Sequence, residues 1–177
     1  MGAKLNDAEL RRTDLEKADL SNADLSEADL READLEEAKL DGARLVKADL
    51  RRADLKRASL ERADLTRAAL DGVDLERASA AGAVLVQADL SRANLGRADM
   101  SGADLTKADL SHANLSRVNF TGATLVGADF DDASLRRTNF SAANLSGATG
   151  LTQARLDNAC GDDGTVLPKG FKIGRCR

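Results

Sequence analysis

The chain has 177 residues, with one proline, no tryptophan or tyrosine, and a formal net charge of −4 at pH 7. Charged residues make up 32% of the sequence, and this slight acidic excess gives no overall bias towards nucleic acid. No run of about 18 apolar residues occurs, so no membrane span is predicted, and the length fits one elongated domain.

A five-residue period organises the sequence from Leu5 to Leu145. Every fifth position there is leucine except at Ala80, Met100, Phe120, Phe130 and Phe140. An alanine usually precedes the leucine by two positions, with Asp or Asn between them, so the unit reads A-[DN]-L-x-x. Five residues turn about 140° around an α-helix, so the leucines would form no helical stripe. A flat strand is also excluded because its side chains alternate with period two.

The spacing of the apolar positions predicts a four-sided solenoid. Alanine and leucine, two residues apart, point to the same side of a short extended segment, and a corner absorbs the remaining residue. If each corner turns about 90°, four repeats close a coil of about 20 residues, and neighbouring coils pair as parallel strands about 4.8 Å apart. The prediction is an all-β domain of about seven coils over residues 1–149.

The A-[DN]-L-x-x unit resembles that of the pentapeptide-repeat family over about four fifths of the chain. The resemblance implies a right-handed quadrilateral β-helix. It also implies a candidate function, because some members resemble B-form DNA in width and charge and bind DNA gyrase or topoisomerase IV, which confers quinolone resistance. The slight net charge and the arginine-rich surface described below weigh against that function here.

The start of the chain is already in repeat register, so nothing is predicted to cover the outer edge of the first coil. Three explanations stay open: residue 1 is not the natural start, two chains meet end to end through this edge, or the first turn is frayed. No signal peptide is predicted. We expect a cytoplasmic protein, or a periplasmic one if a native signal peptide precedes residue 1.

Residues twenty apart stack in a solenoid, so outward positions form columns. One column is rich in arginine: Arg57, Arg77, Arg97, Arg117 and Arg137. Nearby acids such as Glu36 and Glu76 favour a solvated charge ladder. The alternative is a surface for an anionic partner, strongest where the preceding column changes from Asp to Asn94, Asn114 and Ser134. Direct nucleic-acid binding is not expected because no aromatic stacking residues accompany the charge.

Two other surfaces are candidates for protein contact. One is an outward column of β-branched residues: Val46, Thr66, Val86, Thr106 and Val126. Strand propensity alone explains such residues, but the column also suits a dimer or partner face. The second surface is small and nearly uncharged, and includes Ser101, Gly102, Thr121 and Gly122. The predicted function is a non-catalytic scaffold for protein–protein interaction or self-association, with an unidentified partner.

Residues 150–177 are predicted to form a C-terminal cap. Gly150 breaks the register, and a short helix over about residues 152–160 begins with Thr152 as N-cap. An irregular tail follows, anchored by Val166, Leu167, Phe171 and Ile173. Cys160 and Cys176 either form a disulfide that closes this tail or remain two cytosolic thiols.

No enzyme is predicted. His112, the single histidine, falls at an outward position, and no catalytic arrangement can be assembled around it. Two cysteines and one distant histidine do not make a zinc site. A leucine-filled core also leaves no pocket for a small molecule, so neither a cofactor, nor a metal, nor a small-molecule substrate is expected.

Overall fold

The computed structural model describes residues 2–176. Single-residue parallel bridges join positions twenty apart, from Lys4 with Asp24 to Asp129 with Thr149. One coil is therefore 20 residues long, and its four pentapeptides form four walls. We number the walls by the leucine that each contains in the first coil: Leu5 in wall 1, Leu10 in wall 2, Leu15 in wall 3 and Leu20 in wall 4. Each wall includes the two corner residues after its leucine.

Hydrogen bonds between successive coils satisfy the backbone. On wall 1, Leu25 N donates to Arg44 O of the next coil at 2.7 Å, and Arg44 N donates back to Ala23 O at 2.9 Å. The corner contributes a third bond, from Glu27 N to Val46 O at 2.9 Å. This pattern recurs along all four walls, so the backbone of an inner coil is hydrogen-bonded to the coil before it and to the coil after it.

The corners explain the Asp or Asn before each leucine. Each corner is a four-residue turn closed by the alanine N–H, as in Ala18 N to Leu15 O at 3.0 Å. The third residue of the turn is left-handed; Lys17, for example, has φ 58°. The Asp14 carboxylate accepts the N–H of Glu16 at 3.1 Å, inside the same corner. The acidic or amide side chain is therefore part of the turn, which is why the motif repeats it.

Leucine and alanine fill the interior, and three phenylalanines enlarge it near the C-terminal end. Phe120 stacks on Phe140, and Phe130 meets Phe140 edge-on with ring centroids 6.2 Å apart. Thr138 takes the place of an alanine and is fully buried. Its hydroxyl donates to Leu115 O at 2.8 Å, so the buried polar atom is satisfied.

The first coil is the most open part of the solenoid. Its leucines, Leu5, Leu10 and Leu15, are only partly buried, whereas the repeat leucines from Leu25 to Leu145 are almost completely buried. In later coils the equivalent N–H groups donate to the preceding coil, as Asp29 N does to Ala8 O. Within residues 2–176, the N–H groups on the outer edge of the first coil, such as those of Glu9 and Asp14, find no backbone acceptor.

Gly150 starts the departure from the five-residue register. Its φ is +71°, and a Cβ there would lie 2.2 Å from Asp131 N, so no other residue fits without moving the backbone. Leu151 rather than residue 150 is buried, and the next bridge joins Asn139 to Cys160, twenty-one residues away.

The helix in the tail is shorter than predicted. Helix α1 spans Gln153–Leu156 and begins with Thr152 as N-cap, whose hydroxyl accepts the Arg155 N–H. The predicted end near residue 160 is wrong, because Cys160 has already returned to the extended ladder. Its N–H donates to Thr138 O at 2.9 Å, and its carbonyl accepts from Phe140 N at 2.7 Å. The strand pairing of the last coil ends the helix early.

One predicted tail anchor is also wrong. The side chain of Val166 is 47% exposed, and the residue is held by its backbone, which pairs with Ala143 and Leu145. Leu167, Phe171 and Ile173 do pack, partly buried, against the core. Among the described residues, no helix is long and apolar enough to cross a membrane.

Candidate interaction surfaces on the walls

The first part of the arginine column on wall 3 is a charge ladder. Arg57 bonds through Nη2 to Glu36 and through Nε to Glu37 Oε1 at 3.0 Å. Arg77 Nε lies 3.7 Å from Glu76 Oε1. These two arginines are therefore paired with acids of their own wall, and exposed pairs of this kind contribute little to stability.

The second part of the column is different. Arg97, Arg117 and Arg137 have no carboxylate oxygen within 4.0 Å in the described part of the chain. Arg57 reaches back one coil to its acids. The corresponding residues for Arg117 are Gly96 and Arg97, neither of which can accept a salt bridge. For Arg137 they are Ser116 and Arg117, so the sequence gives neither of these two arginines an acid one coil back. Arg97 does have Glu76 one coil back, but within residues 2–176 Glu76 is paired with Arg77 and not with Arg97.

Gly96 also opens a cleft of about 520 Å³ beside these arginines. It is buried, at a corner position where the other coils of wall 3 carry a side chain such as Glu76 or Ser116. The cleft is lined by Glu76, Asn94, Gly96, Arg97, Asn114, Ser116, Arg117, Arg136 and Arg137. We call it the wall 3 cleft.

Sequence reasoning missed the wall 3 cleft. The prediction that no pocket exists was made from the leucine-filled interior, and the cleft lies in the outer surface. Gly96 and Arg136 were not singled out, although stacking the sequence in rows of twenty shows Gly96 interrupting a column that holds Glu16, Glu36 and Glu76. That interruption is the signal that could have located the site.

Amide and hydroxyl groups line the cleft beside the arginines. Asn114 Nδ2 donates to Asn94 Oδ1 at 2.9 Å, and Asn94 Nδ2 donates to Asp74 Oδ1 at 3.0 Å. Ser116 Oγ and Ser134 Oγ lie 3.3 Å apart. Each amide nitrogen keeps a second N–H, and one of the two hydroxyls keeps its hydrogen. The polar groups at the cleft are thus able to donate further hydrogen bonds.

The β-branched column lies along wall 1, and its five members are all partly buried. The threonine hydroxyls are engaged within their own corners: Thr66 Oγ1 donates to Asp64 Oδ1 and Thr106 Oγ1 to Asp104 Oδ1, each at 2.6 Å. The column therefore offers an uncharged strip whose polar atoms are already satisfied. We call these five residues the wall 1 strip.

The small surface predicted around Ser101 lies on wall 4. A Cβ at Gly102 or Gly122 would meet nothing within 4 Å, so this wall is open and flat. The hydroxyl of Thr121 is engaged by Asn119 Oδ1 at 2.7 Å, and the N–H of Ser101 by Asp99 Oδ1 at 3.0 Å. Little on this wall would obstruct a neighbouring surface.

Charges on wall 2 compensate each other near its beginning. Glu32 accepts from Arg12 Nε at 2.7 Å and from Arg11 Nη2 at 2.8 Å, and these bonds lower the pKa of Glu32 to about 2. A bidentate bond from Arg31 lowers the pKa of Asp29 to about 2 as well. The charges in this region are therefore internally satisfied.

His112 lies on wall 2 near the other end, exposed as predicted for an outward position. Its ring and the carboxylates of Asp131 and Asp132 come within 4.8 Å of one another, and all three are exposed. Asp132 forms an ion pair with Arg155.

The structure joins Cys160 and Cys176 in a disulfide, with Cα atoms 4.8 Å apart. The bond ties the last residues described to the ladder position that pairs with Asn139. It closes the tail over the end of wall 4.

Parallel coils with four walls define a β-helical solenoid, a class of repeat protein in which each coil contacts its neighbours. The chain belongs to the pentapeptide-repeat family, whose members form right-handed β-helices. The family's pentapeptide repeats match in eight copies over residues 2–31, 28–67, 58–97, 83–122 and 113–149.

Solved structures of the same family are similar to this chain. HetL, a pentapeptide-repeat protein involved in heterocyst differentiation regulation from the cyanobacterium Nostoc sp. strain PCC 7120, is 34% identical. The match covers 93% of this chain and 87% of HetL, with a TM-score of 0.43. QnrB1, a plasmid-mediated fluoroquinolone resistance protein, is 22% identical over 91% of this chain and 87% of its own, with a TM-score of 0.49. No curated protein matches the sequence.

Proposed function

We propose that the chain is a non-catalytic scaffold that binds a protein partner or a second copy of itself through the wall 1 strip. The observation that carries this proposal is the engagement of Thr66 and Thr106 hydroxyls by Asp64 and Asp104. Because those hydroxyls need no water, covering the strip would remove aliphatic surface from solvent without leaving a polar group unpaired.

The surroundings of the strip resemble the arrangement of a protein interface. Five positions span four coil spacings, or about 19 Å. Polar corner residues border them: Lys47 pairs with Glu27 at 2.9 Å, and Arg67 Nε donates to Gln87 Oε1 at 2.8 Å. An apolar centre with a polar rim is the usual composition of protein–protein contacts.

Wall 4 is the second candidate surface for the same scaffold role. Its open glycine corners, Gly102 and Gly122, allow close backbone approach by a partner. It has fewer aliphatic groups to bury than wall 1, so we expect it to contribute less to affinity.

Charge insertion tests the proposal. Val86→Glu places a carboxylate in the centre of the wall 1 strip, and Gln87→Glu adds the same charge one residue away at an exposed corner. Sedimentation equilibrium from 1 to 100 μM should show a wild-type oligomer that Val86→Glu dissociates and Gln87→Glu retains. Ser101→Arg tests wall 4 in the same way.

If the wild type is monomeric throughout, self-association is wrong, and the strip must then act on a different protein. Affinity capture should then recover a protein with the wild type and with Gln87→Glu that Val86→Glu loses. Equal recovery by all three proteins would contradict the proposal for wall 1.

A second candidate function, DNA mimicry against gyrase or topoisomerase IV, is supported by acids on wall 2. Asp109, Asp129 and Asp131 form no ion pair within the described chain, so this part of the wall is negatively charged. A gyrase supercoiling assay with and without a quinolone tests it. Inhibition or protection at micromolar protein would favour mimicry over the scaffold role, and no effect would exclude gyrase as the target.

A further inference from the structure

We propose that the wall 3 cleft binds a short acidic segment of a partner protein. The cleft combines four arginines, Arg97, Arg117, Arg136 and Arg137, with a volume of about 520 Å³. That volume lies within the range of about 300–1,000 Å³ that is typical of ligand sites. Guanidinium groups bind carboxylates through two parallel hydrogen bonds, so an unpaired set is suited to this chemistry.

Among residues 2–176, the lack of an ion pair distinguishes these arginines from the earlier part of the column. Arg57, in the same column and at the same left-handed corner position, is neutralised by Glu36 and Glu37. Arg117 occupies the equivalent place three coils later, with Gly96 and Arg97 where the acids would be. The cleft therefore has both the space and the positive charge that an acidic side chain would fill.

The extent of the charge indicates a short ligand. Arg97, Arg117 and Arg137 span two coil spacings, or about 10 Å, which is the length of about three residues of extended chain. Before this region, wall 3 carries Asp34, Asp54 and other acids. A long uniform polyanion lying along the wall would meet all of those carboxylates. A short acidic segment at the cleft would meet only Glu76, which lies 3.7 Å from Arg77 Nε.

Nucleic acid fits the site less well than an acidic peptide. Phe120, Phe130 and Phe140 are fully buried, so they offer no platform for stacking bases. The polar groups near the arginines, from Asn94, Asn114 and Ser116, can add hydrogen bonds to carboxylate oxygens. The recognition is thus local and depends on hydrogen bonds and charge.

This inference rests on the proposed scaffold function only in taking the ligand to be a protein segment. The wall 3 cleft and the wall 1 strip lie on different walls, so Val86→Glu leaves the cleft intact. A variant that loses binding at the wall 1 strip but keeps it at the wall 3 cleft, or the reverse, distinguishes failure of one proposal from failure of the other.

The test uses a fluorescein-labelled hexaglutamate peptide and fluorescence anisotropy with the whole chain. We expect binding that weakens by about tenfold between 50 and 300 mM salt, because exposed charges are screened. Arg117→Gln should weaken it by about fivefold or more, since one unpaired guanidinium is lost. Arg57→Gln is the matched control and should change the affinity less than twofold, because that arginine is already paired.

Restoring the missing acid gives a sharper test. Gly96→Glu places a carboxylate where Glu36 serves Arg57, and it should reduce peptide binding by more than tenfold. A Cβ at residue 96 would approach Asn94 Oδ1 to 3.2 Å, so a small shift is needed. Gly96→Ser has the same Cβ without the charge and should retain binding within about threefold. Circular dichroism checks that each variant is folded.

Two results would overturn the proposal. One is a peptide affinity that is absent or is equal in the wild type, Arg117→Gln and Gly96→Glu. The other is inorganic tripolyphosphate or a short DNA duplex that binds at least ten times more tightly than the peptide and displaces it. That outcome would assign the cleft to phosphate instead.

Discussion

The ring of Phe140 lies parallel to the ring of Phe120 one coil earlier, with centroids 5.5 Å apart and planes 4° apart. The first three coils hold Leu20, Leu40 and Leu60 at this interior position, and the next two hold Ala80 and Met100. The pair therefore replaces branched aliphatic contacts with an aromatic stack inside the last part of the solenoid.

Replacing Phe140 tests this stack. Phe140→Ala should lower the free energy of unfolding by roughly 3–5 kcal/mol, because a large buried side chain is lost and a cavity remains. Phe140→Leu restores the residue usual in the repeat and should cost about 1–2 kcal/mol. Urea unfolding followed by circular dichroism measures both. A free energy of unfolding for Phe140→Leu equal to that of the wild type would show that the ring contributes nothing beyond what leucine supplies.

The left-handed corners predict an asymmetry between neighbouring substitutions. Gly102 has φ +65°, and Gly102→Val should lower the free energy of unfolding by about 1–2 kcal/mol, because a β-branched residue is strained there. Ser101, one residue earlier, does not have a positive φ, and Ser101→Val should stay within about 0.5 kcal/mol of the wild type. Thermal unfolding of both variants measures this difference. Similar decreases in the free energy of unfolding for Gly102→Val and Ser101→Val would contradict the corner geometry.

Glu32 predicts a specific loss of stability in acid. Hydrogen bonds from Arg12 and Arg11 hold the pKa of Glu32 at about 2, below its ordinary value of 4.5. A depressed pKa stabilises the fold fully above the ordinary value, and the contribution disappears as pH falls from about 4.5 to about 2.

We therefore expect the difference in melting temperature between the wild type and Glu32→Gln to be constant above about pH 5 and to shrink towards zero near pH 2. Glu9→Gln serves as a control, because Glu9 is exposed and forms no ion pair in the described chain. A difference for Glu32→Gln that does not change with pH would mean that its ion pairs with Arg11 and Arg12 contribute no stability.

The disulfide predicts how the tail responds to reductant. Cys160 and Cys176 are 16 residues apart, and replacing both with serine should lower the free energy of unfolding by about 3 kcal/mol, because the unfolded tail is released. Dithiothreitol should destabilise the wild type and leave the double variant unchanged. If reductant has no effect on the wild type, the two residues are free thiols in solution, as a cytosolic location would favour.

The interior of the fold was predictable because it depends on one repeating constraint. A leucine every fifth residue and an alanine two positions earlier, with corners taken to turn about 90°, predict a 20-residue coil, and Lys4 pairs with Asp24 as expected for that coil. The same reasoning failed in the tail, where no period exists. The length of α1 depends on Cys160 pairing with Thr138 and Phe140, which is a tertiary constraint that local propensity does not contain.

The candidate sites were predictable only in part. Stacking residues at intervals of twenty predicted the arginine column. It did not predict that the first arginines of the column are paired with acids and the later ones are not. Whether Arg57 or Arg117 is paired depends on side chains one coil back, at a corner that the five-residue motif leaves unspecified. The cleft depends on the missing side chain of Gly96, so reading the positive charges alone could not reveal it.

The 20-residue coil also limits how such a chain can change in length. Inserting one pentapeptide between Arg97 and Arg117 would leave every interior leucine in phase but would carry each downstream column to the next wall, so Arg117 would no longer stack above Arg97. Only the gain or loss of a complete coil keeps every wall's surface chemistry aligned. Relatives that share a function of one wall should therefore differ in length by whole coils, whereas relatives that share only the core can differ by single pentapeptides.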